Sequence, residues 1–507
     1  MKRWKLLSPE FFFVVVCLAY LSLMVGRISL AYLDFGDGNY LYIARRMLQG
    51  VVIYKDIMSP QPPMHLLVGT VLLRIGDWLD NPLIVVRVFT LILRTIHAVL
   101  IYLIAARLFN SEKRPWLPFF AGTVYLFLPI GFWWSRGYQS EPLEILWLLL
   151  MLWTFLKQTP KCLYLSGVFG ALSVLTNMTA APYLLATLVY LIFTDRKKLS
   201  QFALPSLGLL AVTIVGFQIY TQGMFLQNTL LDQVGTYPKE NTLSYMIGKI
   251  KWIGGTILIL EGGLIAASLA GLVFFWKEQI KGCLWKDRFV EIYILLAAIG
   301  TLLSFLYATK GGTVDYIFTL GEPAVALFSA YCAYRLLEFK YSGTVWVPVI
   351  AGLILLLLSY PSYLQNKRTL NGLNYELKSD EVKSLVRFID ENSTPNEPIL
   401  APPYFAFLAN RPIAGEFSEQ YVWFIKYVNY MKYREGNPDQ LKTLIDIGEQ
   451  MSRQEVKVVI LNMDPNRGQQ TGKIGPFRQA VEMYYESVAE VPMRNETLTL
   501  FLPMKEQ

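Results

Sequence analysis

From residue 9 to about Tyr363 the chain runs as a succession of apolar blocks, many of them near the length a helix needs to cross a bilayer. A hydrocarbon layer of about 30 Å takes about 20 helical residues. Lipid offers the backbone no hydrogen bonds, so such blocks must satisfy their N–H and C=O groups internally, as helices. Composition agrees: 54% of the 507 residues are hydrophobic and 17% are charged, whereas a soluble chain carries about 25% charged residues. The expected fold is a polytopic α-helical membrane protein of about eleven spans. They are placed at 9–30, 82–107, 116–134, 142–157, 162–176, 179–194, 201–221, 252–276, 289–308, 316–337 and 344–362. The first block lacks a small-residue cleavage site and is read as an uncleaved span rather than a signal peptide.

The formal charge of +8 would raise the question of nucleic acid in a soluble protein. Here the cations sit in short loops, and no basic stripe is interleaved with aromatics. One set of loops holds Lys2, Arg3 and Lys5; Arg107, Lys113 and Arg114; Lys157 and Lys161; Arg196, Lys197 and Lys198; Lys277, Lys281, Lys286 and Arg288; Arg335 and Lys340. The opposite short loops hold only Arg136 and Lys310. By the positive-inside rule the first set is cytoplasmic. The N-terminus is then inside a plasma (inner) membrane and the C-terminal region is extracytoplasmic. Parity requires the apolar stretch 62–76 to lie on the outer surface, with a second interfacial helix at 38–49, inside one external loop, 31–81.

The apolar character ends near 363, which divides the chain into a transmembrane module, 1–363, and a small α/β domain, 364–507. Val382, Leu385, Val386 and Ile389 share one helical face. Lys457–Leu461 and Thr497–Leu502 read as buried strands. Neither a Walker loop nor a GxGxxG following a strand occurs. The four cysteines form no CxxC pair, and two histidines, His65 and His97, cannot build a histidine-rich metal cluster.

The polar groups of interest lie in the external loops. Asp34 and Asp37 stand three residues apart where a helix is about to begin; taken alone, Asp37 or Asn39 reads as its N-cap. Tyr54, Asp56 and the pair Pro62-Pro63 otherwise read as a rigid turn before a helix. Arg136 precedes Glu141, which opens a span and reads as a helix N-terminal acid. Glu144, one turn further in, needs a partner, ordinarily a basic residue. Lys310, beside Gly311 and Gly312, suits a phosphate at the membrane surface or a side chain snorkelling from a span end. Arg87, Arg94 and His97 fall within the second span, where polar pairing is expected.

In this order the residues Asp37-x-x-Tyr40-x-x-x-Ala44, Gly50-x-x-x-Tyr54-x-Asp56, Pro62-Pro63, Arg87, Arg136 with Glu141, and Lys310-x-Gly312-x-x-x-Tyr316 before Pro323 form a recognisable set. The tail 386–412, with Asn410-Arg411-Pro412, adds to it. The chain resembles the GT-C superfamily of glycosyltransferases, in particular the protein mannosyltransferase and aminoarabinose transferase group, which use polyprenyl-phosphate sugars. The resemblance implies that the acid of the first external loop is the general base on the acceptor hydroxyl. That group commonly has Asp-Glu four and three residues before the Tyr; here the positions are Gly36 and Asp37. Asp37 inherits the role by position, with Asp34 the alternative.

Further roles follow from the same resemblance. Glu141, where an Asp is common, would hold a divalent cation, Mg or Mn, together with Asp37, or orient the site. Lys310, Arg136, Tyr316, Tyr40, Tyr54, Asp56 and His65 would bind substrate, the cations taking the lipid phosphate. No nucleotide cofactor is expected, because the donor is a lipid. Partners would be a polyprenyl-phosphate-linked sugar, a glycan, lipid or protein acceptor, and the bilayer, with no nucleic acid. The chemistry is consistent on its own terms: a departing phosphate monoester needs charge neutralisation, and a carboxylate suffices as base when the sugar develops oxocarbenium character. A single inverting displacement is expected. The competing reading is a transporter, flippase or polymerase of lipid-linked oligosaccharides. Such proteins place polar groups near the bilayer midplane and often show internal repeats, and no repeat is evident. A third reading is a non-catalytic assembly subunit with an external domain.

Overall fold

The computed structural model describes residues 8–28, 36–109, 112, 114–231, 243–281, 315–341, 346–372, 377–416, 447–462, 481–493 and 497–504. The chain divides into two compact units. One holds Met1–Ile28, Arg87–Thr213 and Glu240–Leu373; the other holds Ser29–Val86, Ile214–Lys239 and Asn374–Gln507.

The predicted spans appear as helices: α1 (Pro9–Val25), α4 (Pro82–Leu108), α5 (Trp116–Phe127), α6 (Pro129–Trp134), α7 (Ser140–Phe155), α8 (Pro160–Thr176), α9 (Ala181–Thr194), α10 (Arg196–Tyr220), α11 (Leu243–Lys281), α12 (Glu322–Tyr341), α13 (Trp346–Leu358) and α14 (Tyr360–Leu370). The expected span 289–308 lies outside the described residues. Among the described residues three helices are long and apolar enough to cross a membrane, within Pro82–Leu108, Arg196–Tyr220 and Lys251–Glu278; α13 and α14, bent by 59°, would make a fourth if they form one span. Several remaining apolar helices are shorter. The 17 residues of α1 reach only about 25 Å. The block 116–134 is broken where Leu128 turns extended before Pro129, since proline offers no N–H to continue the ladder.

The core of the first unit is aromatic and aliphatic. Phe13, Tyr20, Ile101, Tyr125, Phe132, Leu152, Phe155, Phe202, Phe328 and Tyr331 are buried in one cluster. Phe109 stacks on Tyr331 at 4.7 Å, with Phe275 edge-on to both. The outward faces are also apolar: Val212 and Ile219 on α10, Leu258 and Ile259 on α11, and Leu356 and Leu357 on α13 are exposed. A helix apolar on every side belongs in lipid. The chain is an integral membrane protein that crosses more than once.

In the second unit α2 (Leu41–Leu48) packs on α3 (Pro63–Trp78), and Arg45 holds Asp77 through two bonds of 2.5 and 2.7 Å. The C-terminal part supplies α15 (Ser379–Asn392), α16 (Pro403–Ala409) and a sheet of β1 (Val459–Asn462), β2 (Tyr485–Pro492) and β3 (Thr497–Pro503) in the antiparallel order β1-β3-β2. The expected helical face is realised: Val382, Leu385 and Ile389 are buried, with Val386 at its margin. β1 and β3 match the two expected strands. β2 was not foreseen. It is a sheet edge with most of its residues in water, so it carries no apolar alternation to read.

Candidate active-site groups

Asp37 lies in a π-helical turn, Gly36–Tyr40, that leads into α2, and it is 1% exposed. The N-cap position of α2 is Tyr40, so Asp37 and Asn39 lie ahead of the position that the bare motif suggests for one of them, inside the π-turn. π-turns recur where a helix is distorted to aim a functional group. Gly38 is pressed against the backbone of α16: a Cβ there would stand 2.8 Å from the Tyr404 nitrogen. Only a residue without a side chain fits that approach.

Tyr40 meets His65 edge to face at 4.8 Å, so the structure brings these two expected substrate-binding residues together. His65 is fully buried near the start of α3, the helix read as interfacial, and burial pushes its pKa down to about 3, so the imidazole is neutral at pH 7. Tyr54 and Asp56 form a local turn instead. Tyr54 takes a left-handed φ of 67°, its hydroxyl donates to the Gln61 carbonyl at 2.8 Å, and Asn228 donates to its carbonyl at 2.9 Å. Its ring lies edge-on to Phe225 at 5.0 Å. The Asp56 carboxylate accepts from the Val52 N–H at 2.9 Å, which closes the turn. Asp34 and Lys310 lie outside the described residues. Tyr316 falls in the 3-10 turn Asp315–Leu320 ahead of α12.

The first unit holds the other expected groups. The Arg136 guanidinium lies 4.2 Å from the Trp133 ring centroid and donates to the Thr369 carbonyl of α14 at 3.3 Å. Glu141 opens α7, and Asn177 donates to its Oε1 at 3.3 Å. Glu144 is buried one turn on and takes a 2.6 Å bond from the Thr179 hydroxyl, not from a cation. Oε2 of Glu141 and of Glu144 has no hydrogen-bond partner among the described residues. A buried carboxylate oxygen costs free energy unless something is supplied to it.

Arg94 and Glu322 form a buried ion pair at 2.6 Å. Arg94 also donates to the Tyr125 carbonyl and lies 3.8 Å from the Tyr125 ring centroid. The second oxygen of Glu322 accepts from the Gly131 N–H at 2.7 Å. Gly131 is the third residue after the break at Leu128, in the first turn of α6, where a helix has spare N–H donors. A Cβ on Gly131 would collide with both ionic partners. His97 pairs with the Tyr125 hydroxyl at 3.1 Å. The pairing foreseen within α4 is therefore present. Its acid could not be picked from the sequence, because Glu322 is 228 residues away from Arg94.

Residues 60–220 match the family model described as dolichyl-phosphate-mannose-protein mannosyltransferase. The structure is similar to ArnT from Cupriavidus metallidurans bound to undecaprenyl phosphate, at a TM-score of 0.61 and 12% identity over 96% of this chain and 97% of that one. The apo state of that protein gives 0.56 and 14% over the same shares. The Archaeoglobus fulgidus oligosaccharyltransferase tethered to an acceptor peptide gives 0.54 and 13%, over 100% of this chain and 75% of that one. No curated protein sequence matches. The chain shares the fold of these membrane transferases, the fold that the resemblance implied.

Proposed function

We propose that this protein transfers a sugar from a polyprenyl-phosphate donor to a glycan, lipid or protein acceptor on the extracytoplasmic face of the plasma (inner) membrane, with inversion. The observation that carries the reading is a fold shared with membrane transferases in which Asp37 is buried in the π-helical turn that leads into α2. Asp37, with Asp34 as the alternative, takes the proton of the acceptor hydroxyl as the glycosidic bond to phosphate breaks. Its burial supports a reaction closed off from bulk water. Lys310 and Arg136 neutralise the departing lipid phosphate. Tyr40, His65 and Tyr316 line the substrate; Tyr54 and Asp56 hold the turn before α3. The loop cations support an N-terminus in the cytoplasm and the region 364–507 outside.

Glu141, together with Asp37, would hold a hard divalent cation, Mg or Mn, which takes oxygen ligands; the bare oxygens of Glu141 and of neighbouring Glu144 support a cation there. No group of three His, Cys, Asp or Glu converges among the described residues, so phosphate or water would complete the shell. Bound there, the ion would supply positive charge to the leaving phosphate.

The test uses the full chain in detergent with a panel of labelled hexose- and pentose-linked undecaprenyl phosphates, with and without EDTA. Release of undecaprenyl phosphate is expected, reduced about 100-fold or more in Asp37→Asn and restored by Mg or Mn after chelation. Passage of an intact lipid-linked sugar across a vesicle membrane without bond cleavage would overturn the reading in favour of a transporter. Full turnover in EDTA would remove the cation alone.

A further inference from the structure

We propose that Glu416 is a positioning residue for the turn that bears Asp37, so that residues 403–416 form part of the catalytic scaffold. This rests on the assignment of Asp37 as the base. The Glu416 carboxylate accepts from the Tyr42 hydroxyl at 2.9 Å, from Arg46 Nε at 2.8 Å and from Arg46 Nη2. Tyr42 and Arg46 are four residues apart and share a face of α2. The Tyr42 hydroxyl also accepts from the Ile413 N–H at 2.6 Å, and Gln49 donates to the Asn410 side chain at 3.0 Å. α2 is thus held along its length by the segment 410–416, while Gly38 at its head abuts Tyr404.

The backbone favours an active placement over an incidental contact. Gly415 and Glu416 take successive left-handed φ values of 63° and 51°. Glycine adopts this freely, but glutamate does so only when its surroundings enforce it. The double left-handed turn ends with the carboxylate on α2. Tyr42 is 1% exposed, so its hydroxyl must find partners inside the protein, and both come from 413–416. Asp37 stands five residues before Tyr42 with no flexible linker between them, since the π-turn runs straight into α2. A shift of α2 therefore moves the Asp37 turn. Displacements of about 1 Å cost on the order of 100-fold in reaction rate.

The experiment compares Glu416→Ala, Glu416→Gln, Tyr42→Phe and Asp37→Asn in the full chain, with the assay above. Glu416→Ala is expected to lower kcat about 10- to 100-fold, with the donor KM within about threefold of wild type. Glu416→Gln, which keeps one acceptor oxygen, is expected to recover part of that loss. Tyr42→Phe keeps the ring and its burial and serves where Glu416→Ala does not fold; its kcat is expected to fall about 5- to 10-fold. Wild-type kcat in Glu416→Ala, or in Tyr42→Phe if the former is not folded, with Asp37→Asn inactive, overturns the positioning role alone. A KM increase at unchanged kcat does the same. Full activity of Asp37→Asn overturns the base assignment and this inference with it.

Discussion

Both units are tied by ionic bonds, but the bonds sit in different surroundings. In the membrane unit, Arg94 and Glu322 have side chains 4% and 0% exposed and are finished by backbone groups, the Tyr125 carbonyl and the Gly131 N–H. In the second unit, Arg45 and Asp77 are 16% and 43% exposed, and Arg46 and Glu416 about one-fifth exposed. A buried charge without its partner is costly, whereas a wet one is rehydrated. The same residue types therefore secure the helix break in one unit and orient α2 from its wetter end in the other.

Three measurements in detergent put numbers on that contrast. The largest effect is expected for Glu322→Ala, which strands Arg94 and the Gly131 N–H; unfolding should become easier by about 3–5 kcal/mol. A loss below about 1 kcal/mol would mean that water reaches the pair and would erase the contrast. His65 comes next. Its folded pKa of about 3 lies below the ordinary 6.5, so the unfolded chain binds the extra proton between those values. Stability from keeping it neutral is complete above pH 6.5 and is lost as pH falls towards 3. His65→Gln should flatten the stability–pH slope in that window by up to about 1.4 kcal/mol per pH unit; an unchanged slope would mean that the ring is hydrated. The smallest effect is expected for Arg45→Ala, about 0.2–1 kcal/mol and weaker at high salt.

The apolar periodicity was legible because burial in lipid writes itself into every residue of a span; the expected spans within the described residues carry helices. Their interruptions were less legible. Pro129 signals a break, but its use as a cradle for Glu322 depends on a residue 191 positions away from Gly131. Asp37 was singled out by the family resemblance of its loop, its spacing alone reading as an N-cap, whereas the distortion of its turn could not be foreseen, since nothing in Gly36–Tyr40 encodes a π-turn over a cap. Glu144 shows the limit from the other side: its need for a partner was evident, but the partner is the hydroxyl of Thr179. Glu416 carried no local signal, because its importance comes from Tyr42 and Arg46 at the far end of the chain.

That long reach bears on biosynthesis. Tyr42 is made 374 residues before Glu416. At about 5–20 residues per second, the ribosome takes roughly 20–75 s to supply its partner. During that interval α2 has none of the bonds that Glu416 provides, and a polypeptide cut short upstream of 416 never acquires them. An incompletely synthesised copy would accordingly carry α2 without that anchor.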